Sequence, residues 1–213
     1  MTVDCIMLSY TKNKGIHDMT QRAIDSLHAS SDIKFRVLLI ETSEDMVLYD
    51  NASVIKPHRE FNYNAFVNIG LARCDSEWVI IANNDVIFHK GFMEEILKEN
   101  PDSASPRCDV WDNHLPYIGA NVTGYRVGIE VCGWCIVAKR KVLEDVGFDE
   151  RMKFWYQDNL YAFELKRKGY VHKLIGKACV THLRHKSYST IKNFNEFTIE
   201  AEKVFKDLTS LKH

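Results

Sequence analysis

Trp78-Val79-Ile80-Ile81-Ala82-Asn83-Asn84-Asp85 runs five apolar residues without a break into three side chains that carry oxygen. A short, continuous apolar run stopped by turn-forming residues predicts a strand buried on both faces, as in a parallel sheet. Upstream, Asn62 to Cys74 places Phe66, Ile69 and Leu71 among small residues and reads as a helix that hands over to this strand through Asp75-Ser76. Further back, Val3 to Ser9 reads as a strand, Met19 to His28 has helical spacing, and Phe35 to Ile40 is another buried-strand run. Downstream of Asp85 come a short strand and a helix from Gly91 to Glu99 that closes near Asn100-Pro101. This alternation predicts an α/β fold, Rossmann-like, with a mostly parallel central sheet and helices on both faces.

After residue 100 the alternation stops. Pro101 to Pro116 holds three of the four prolines, so loops or short irregular strands are expected there, with an irregular insertion over about 101–128. Ile129 to Ala138 reads as a strand, Val142 to Val146 as a short helix, Leu160 to Lys168 as a helix ended by Gly169, and Tyr170 to Ile175 as a strand. A last helix, Asn193 to Leu211, puts Phe194, Phe197, Ala201, Val204, Phe205 and Leu208 on one face, expected to pack on the sheet. With no internal repeat or low-complexity linker, 1–213 reads as one domain. Residues 1–100 form its nucleotide-type half, 101–190 its second half and 191–213 its closing helix.

The chain has 213 residues, 46% apolar and 27% charged, with 28 Lys and Arg against 29 Asp and Glu. That composition excludes fibrous and disordered classes and gives no globally basic protein. Its longest apolar runs fall far short of the roughly 18 residues of a membrane-spanning helix. The start, MTVDCIMLSY, lacks the features of a signal peptide, so a cytoplasmic location is expected. Six scattered cysteines read as reduced core thiols. Cys132 and Cys135 with His182 and His185 could make a zinc site, but their strand context and irregular spacing favour buried thiols. Residues 151–213 carry 13 Lys and Arg against 6 Asp and Glu. That excess is either a set of solvated cations on helix faces or a surface for a polyanion or diphosphate.

The usual nucleotide and hydrolase motifs are absent. Gly119 to Gly124 has P-loop glycine spacing, but Tyr125-Arg126 follows where Lys-Ser/Thr is needed, and there is no G-x-G-x-x-G, H-E-x-x-H or G-x-S-x-G. What remains is Asn83-Asn84-Asp85. Ligands of open α/β sheets sit at the carboxyl ends of strands, and an oxygen-rich turn there suits Mg²⁺ or Mn²⁺ with positions left for phosphate oxygens. The alternative is a turn favoured by its residue types alone.

Several segments, in this order, resemble the nucleotide-sugar glycosyltransferases of the GT-A fold, family 2 type, over roughly residues 3–185. Leu8-Ser9-Tyr10 is similar to the end of the family's first strand, which cradles the nucleotide. Ile40-Glu41-Thr-Ser-Glu-Asp45 is similar to the acidic turn whose carboxylate reads the base. Asn68-Ile-Gly-Leu-Ala72 followed by Trp78 to Asp85 resembles the helix and strand that end in the D-x-D metal motif, with Asn83 in place of the first Asp. Val131 to Arg140 and Val142 to Glu150 resemble the next strand and the G-F-D-E turn. Trp155-Tyr-Gln-Asp158 falls at the E-D motif, with Gln157 for Glu, and Thr181-His182 resembles the histidine that completes the metal shell; His185 is its alternative.

The resemblance implies a metal-dependent, inverting glycosyltransferase. Asp158 is its general base, Asp85 and His182 are its metal ligands, and Ser9, Tyr10, Glu41, Asn68, Asn83 and Asn84 hold the donor. It implies Mn²⁺ or Mg²⁺ as cofactor and a nucleoside diphosphate sugar, a UDP-sugar first, as donor. The acceptor is a saccharide or, as the basic C-terminal third also suits, a hydroxylated base in phage-type DNA. Asp158 also reads as a cap for the helix that follows, and His182 as a structural histidine. Trp134 and Trp155 suit either sugar stacking or the core. The losses at Asn83 and Gln157 leave a non-catalytic nucleotide-sugar or carbohydrate binding module as the alternative. A nucleotidyltransferase is disfavoured because its Gly-rich N-terminal signature is absent.

Overall fold

The computed structural model describes residues 1–45, 47–183 and 194–210. Strands β1 (Thr2–Ser9), β2 (Lys34–Glu41), β3 (Ala52–Ile55) and β4 (Trp78–Asn83) pair in parallel in the order β3-β2-β1-β4. Register sets Ile6 beside Leu38 and Ile81, and Cys5 beside Val37 and Ile80. The strand period of two then sends Ile6, Leu38 and Ile81 into one core and Cys5, Val37 and Ile80 into the other. Because both faces are covered, these strands are apolar at nearly every position, which is the pattern that betrays them in the sequence.

Helix α1 (Lys14–Ala29) covers one face with Ala23, Ile24 and Leu27, joined by α3 (Phe92–Glu99) with Phe92, Met93 and Ile96. The other face lies under α2 (Tyr63–Leu71), α4 (Arg140–Val146) and α5 (Gln157–Lys168). Both α1 and α2 start at asparagine caps: Asn13 Oδ1 accepts from Ile16 N–H at 3.1 Å and Asn62 Oδ1 from Ala65 N–H at 3.0 Å. Helix α2 lies close on the sheet, since a Cβ at Gly70 would stand 2.7 Å from Ile6 Cγ2.

The rest of the nine-stranded sheet comes from β5 (Val86–Phe88), β6 (Ser103–Cys108), β7 (Asn121–Thr123), β8 (Cys135–Lys139) and β9 (His172–His182). Its order is β3-β2-β1-β4-β8-β6-β9-β5, with β7 on β9. Strand β8 runs antiparallel to β4 and β6, whereas β6 and β9 pair in parallel. Most registered residue pairs are parallel.

Four sequence expectations change. The proline-rich stretch after 100 is no insertion: β6 lies between β8 and β9, with a register shift between Pro106 and Arg107. One of its buried faces carries hydroxyls with partners and the other the small side chains Ala104 and Cys108, so no apolar period announces it; Ser103 Oγ meets Tyr161 and His172, and Ser105 Oγ accepts from Cys132 N–H at 3.0 Å. The strand expected over 129–138 begins only at Cys135, because Gly133-Trp134 is a turn, while the one expected to end at Ile175 runs to His182. The last helix, α6 (Phe194–Ser210), buries Leu208 against Met152 and Leu160, with Ala201, Val204 and Phe205 beside Tyr156 and Phe163. It therefore packs on α5 and the loop before it, not on the sheet; Asn193, Leu211 and the side chains of Phe194 and Phe197 lie outside the described residues.

Candidate active site

Strand order reverses at β1, whose neighbours are β2 on one side and β4 on the other, so the crevice of this fold opens at their carboxyl ends. Ser9 and Glu41 end β1 and β2, and Asn83 ends β4, ahead of the Asn84-Asp85 turn. Because β8 runs against β4, the residues entering β8, Gly133 and Trp134, reach the same rim. Strand β9 shares the direction of β6, hence that of β4, so its final His182 arrives there as well. One rim thus collects residues far apart in the chain.

At its centre Asp85, 5% exposed, faces His182, with Oδ1 and Nε2 3.2 Å apart. Pairing of Val86 with His182, and donation from Leu183 N–H to Asp85 O at 2.9 Å, set this geometry in the main chain. Trp134 stacks on the His182 ring with centroids 5.6 Å apart, and Asn83 N–H donates to Trp134 O at 3.0 Å. His182 Nδ1 is buried with no hydrogen-bond partner among the described residues.

Asp158 stands next to this group, in the first turn of α5. Tyr156, at φ 62°, turns the chain into that helix in a left-handed conformation that costs a bulky residue energy. Asp158 Oδ2 lies over Gly133 so closely that a Cβ there would stand 3.0 Å away. Burial pushes the Asp158 carboxyl above its ordinary range, against the N–H of Asn159, which donates to Oδ1 at 2.9 Å and favours the charged form. Asp158 is not the cap expected of it: the helix begins at Gln157, Tyr156 holds the N-cap position without a side-chain cap bond, and Asp158 lies inside the first turn. Asp85, His182, Trp134, Gly133 and Asp158 form one unbroken run of contacts or chain neighbours.

The expected donor-binding residues divide. Tyr10 is half-exposed at the rim with Lys12 Nζ 4.8 Å from its ring centre, and Asn83 is half-buried there. Ser9 is buried, and Asn84 Nδ2 donates to Thr20 Oγ1 at 2.9 Å and Ser9 Oγ at 3.3 Å, tying the end of β4 to α1. Glu41 is fully buried, and its oxygens accept from the N–H of Ser43 and of Thr11 and from the hydroxyls of Thr11 and Tyr49. Burial raises that carboxyl, but the Ser43 and Thr11 donors outweigh it and hold the carboxyl below its usual value. Its expected role as a free base-reading carboxylate does not fit this geometry: it orders the loops after β1 and β2.

Asn68 is likewise engaged: its Nδ2 donates to Phe148 O at 2.9 Å and to Glu150 Oε1 at 3.3 Å. Asn62 and Asn64 donate to the next two carbonyls, Glu150 O at 2.7 Å and Asp149 O at 2.9 Å respectively. Three asparagines therefore clamp the turn that precedes Asp158. The spacing 62, 64, 68 was the available signal, but it matches neither strand nor helix amphipathicity and passes for turn composition. His185 lies outside the described residues. All six cysteines are free, and Cys132 Sγ lies 3.4 Å from His114 Nε2 rather than in a four-ligand cluster.

Five of the nine described Lys and Arg residues of the C-terminal third pair with acids. Arg151 binds Asp149, Arg167 binds Glu164, Lys168 binds Asp145, Lys173 binds Glu99 and Lys206 binds Glu202. Among the described residues, no helix is long and apolar enough to cross a membrane.

No protein-family profile and no curated protein sequence matches the chain. Among solved structures it is similar to the crystal structure of S. aureus TarS 1–349, with a TM-score of 0.64 and 16% identity over 84% of this chain and 59% of that one. A second crystal structure of S. aureus TarS gives 0.63 and 17% over 84% of this chain and 36% of that one. The chain thus spans about three-fifths of the first and about a third of the second. At such identity the likeness is one of fold: the mixed, mostly parallel α/β sheet is a Rossmann-like fold shared with TarS.

Proposed function

We propose that the chain transfers a sugar, with inversion, from a nucleoside diphosphate donor to an acceptor hydroxyl. The observation that carries this reading is the meeting of two carboxylates at one rim: Asp85 against His182, and Asp158 above Gly133. The donor set of one buried carboxylate and one imidazole, with the Asn83 amide beside it, fits Mn²⁺ or Mg²⁺, which takes its other ligands from water and phosphate. Asp85 and His182 would hold that ion; bound, it supplies Lewis-acid stabilisation of the charge developing on the departing nucleotide.

The remaining work belongs to the chain. Ser9, Asn83 and Asn84 border the donor crevice, and Tyr10 offers a ring face at its mouth for the base, a UDP-sugar being the first donor to try. Asp158 accepts the proton of the acceptor hydroxyl as its oxygen attacks the anomeric carbon; a single displacement of this kind inverts that carbon. Desolvation of Asp158 raises its basicity, which suits a base acting near neutral pH. Since many cations of the C-terminal third are already paired with acids, a saccharide acceptor fits better than DNA, and acceptor binding should depend weakly on salt.

The test is nucleotide release from a panel of UDP-sugars with Mn²⁺ and saccharide acceptors. Turnover is expected, with Asp158→Asn lowering it about 10²–10⁴-fold while leaving donor binding in place. Turnover unchanged in Asp158→Asn overturns the assignment of the base, and donor binding without any turnover across the panel favours a binding module.

A further inference from the structure

A second set of ligand-type side chains lies at the far edge of the sheet. His89 follows β5, Asp109 follows β6, and Cys179 stands in β9. Main-chain bonds draw them together, because His89 N–H donates to Cys179 O at 3.1 Å and Asp109 N–H to Val180 O at 3.0 Å. One ligand atom from each of the three lies within 4.8 Å of the others. His89 Nε2 and Asp109 Oδ2 are already 3.6 Å apart, close to the edge of roughly 3.4 Å between two ligands bound at about 2.0–2.2 Å on a tetrahedral zinc.

The surroundings suit a ligand. Thr181 Oγ1 donates to Asp109 Oδ2 at 2.8 Å and lies 2.8 Å from His89 Nε2, orienting both side chains. Burial holds the Cys179 thiol above its ordinary value, and the Arg107 guanidinium, with Nη2 3.1 Å from Sγ, offsets part of that by favouring the thiolate. Asp109 Oδ1 is buried with no hydrogen-bond partner among the described residues, an orphan acceptor of the kind that an unseen ion or water satisfies. Alternation along β9 sends Val180 into the core and turns Cys179 and Thr181 the other way, so this group is separate from Asp85 and His182.

We propose that His89, Asp109 and Cys179 form a binding site for a borderline divalent cation of the zinc type, with a fourth position open to water. The mixed nitrogen, oxygen and sulfur set favours zinc over Mg²⁺ or Mn²⁺, which prefer oxygen. Binding forms three metal–ligand bonds without redox change and releases the Cys179 thiol proton to solvent. His89 turns Nε2 from Thr181 to the ion, and Thr181 remains as the donor that orients Asp109.

The experiment uses the full chain stripped of metal by chelator, then titrated with Zn²⁺ and, for its spectrum, Co²⁺. One zinc should bind per chain, cobalt should give a thiolate charge-transfer band in the near ultraviolet, and zinc should shield Cys179 from alkylation. Cys179 is the half-buried thiol and the other five are buried, so the labelling is assignable. Cys179→Ser should abolish the band and weaken zinc by about 10-fold or more, Asp109→Asn should weaken zinc with the band kept, and Asp85→Asn should change neither. Absence of zinc binding and of the cobalt band in the folded wild type overturns the proposal, independently of any variant. So does a band that survives Cys179→Ser, or zinc binding that depends on Asp85 and not on Cys179.

Discussion

Gly133→Ala separates positioning from chemistry, because it adds one methyl group beneath Asp158 and removes no functional atom. The new Cβ would stand 3.0 Å from Asp158 Oδ2, 3.1 Å from its Cβ and 3.3 Å from its Cγ, where ordinary contacts begin near 3.4 Å. Gly133 is not among the residues with positive φ, so alanine brings no backbone strain and the crowding is the whole effect. The carboxylate must retreat by a few tenths of an ångström. Groups that act on a substrate tolerate about 0.5 Å, and a misplacement of about 1 Å costs about 10²-fold, so kcat should fall by about 3- to 10-fold. Overpacking should lower stability by about 1 kcal/mol. The assay is nucleotide release with a UDP-sugar and Mn²⁺, alongside UDP binding followed by thermal shift. Donor affinity should hold, since Asp85, Ser9 and Tyr10 are untouched. Placed on Asp158→Asn, the alanine should cost nothing further, as two changes acting through one group are not additive. A folded Gly133→Ala protein with full kcat, or with the same loss on both backgrounds, refutes the placement of the base over this glycine.

Asp158, raised by burial, is charged only above its shifted pKa, so kcat should decline on the acid side from a pH higher than the ordinary aspartate value of about 3.9. A pH profile whose acid limb sits at or below that value contradicts a desolvated base. His172, fully buried between Ser103 and the Glu130 carbonyl, is held neutral by burial, its pKa pushed down to about 4. The unfolded chain takes up that proton at about pH 6.5, so stability present above pH 6.5 should drain by about 3 kcal/mol as pH falls towards 4. Denaturant melts of wild type and His172→Gln across that window check it, since the variant should lack this slope. Asn83→Asp supplies a second carboxylate at the rim, and Mn²⁺ affinity measured by calorimetry with UDP present should rise about 10-fold or more, a modest share of the attraction between charges a few ångströms apart; unchanged affinity removes Asn83 from the ion's neighbourhood.

The parallel half of the sheet was legible because burial on both faces forces unbroken apolar runs, and Val79 to Ala82 has no other ready use. Strand β6 was not, because one buried face holds Ser103 and Ser105, whose burial is compensated by hydrogen bonds, and the other holds small Ala104 and Cys108. Residue types marked the Asn83 to Asp85 turn, whereas His182 and Asp158 were marked by the family resemblance. What they could not mark was occupation: Glu41 and Asn68 carry the right atoms, yet those atoms are consumed by Thr11, Ser43 and Tyr49 in one case and by the 148–150 turn in the other. Whether a polar side chain is available is a property of its neighbours in space, and a single sequence does not state them.

Strand direction explains how so dispersed a set converges. In the all-parallel half only chain leaving a strand reaches the carboxyl rim, which gives Ser9 and the Asn83 to Asp85 turn. Inserting β8 antiparallel beside β4 reverses that rule for one strand, so chain entering β8 reaches the rim too, and with it Gly133 and Trp134. Two residues of that entry then serve both carboxylates: Trp134 stacks on the histidine facing Asp85, and Gly133 leaves the space that Asp158 fills. Strand β6, antiparallel to β8, restores the original direction, and β9 beside it delivers His182 to the same edge. A second reversal without the first would carry His182 to the opposite rim. The antiparallel strand is therefore what brings the Asp85–His182 pair and Asp158, the proposed cation ligands and the proposed base, to one crevice, and the turn that leads into it is the point where a single methyl group should be felt by Asp158 and not by the pair.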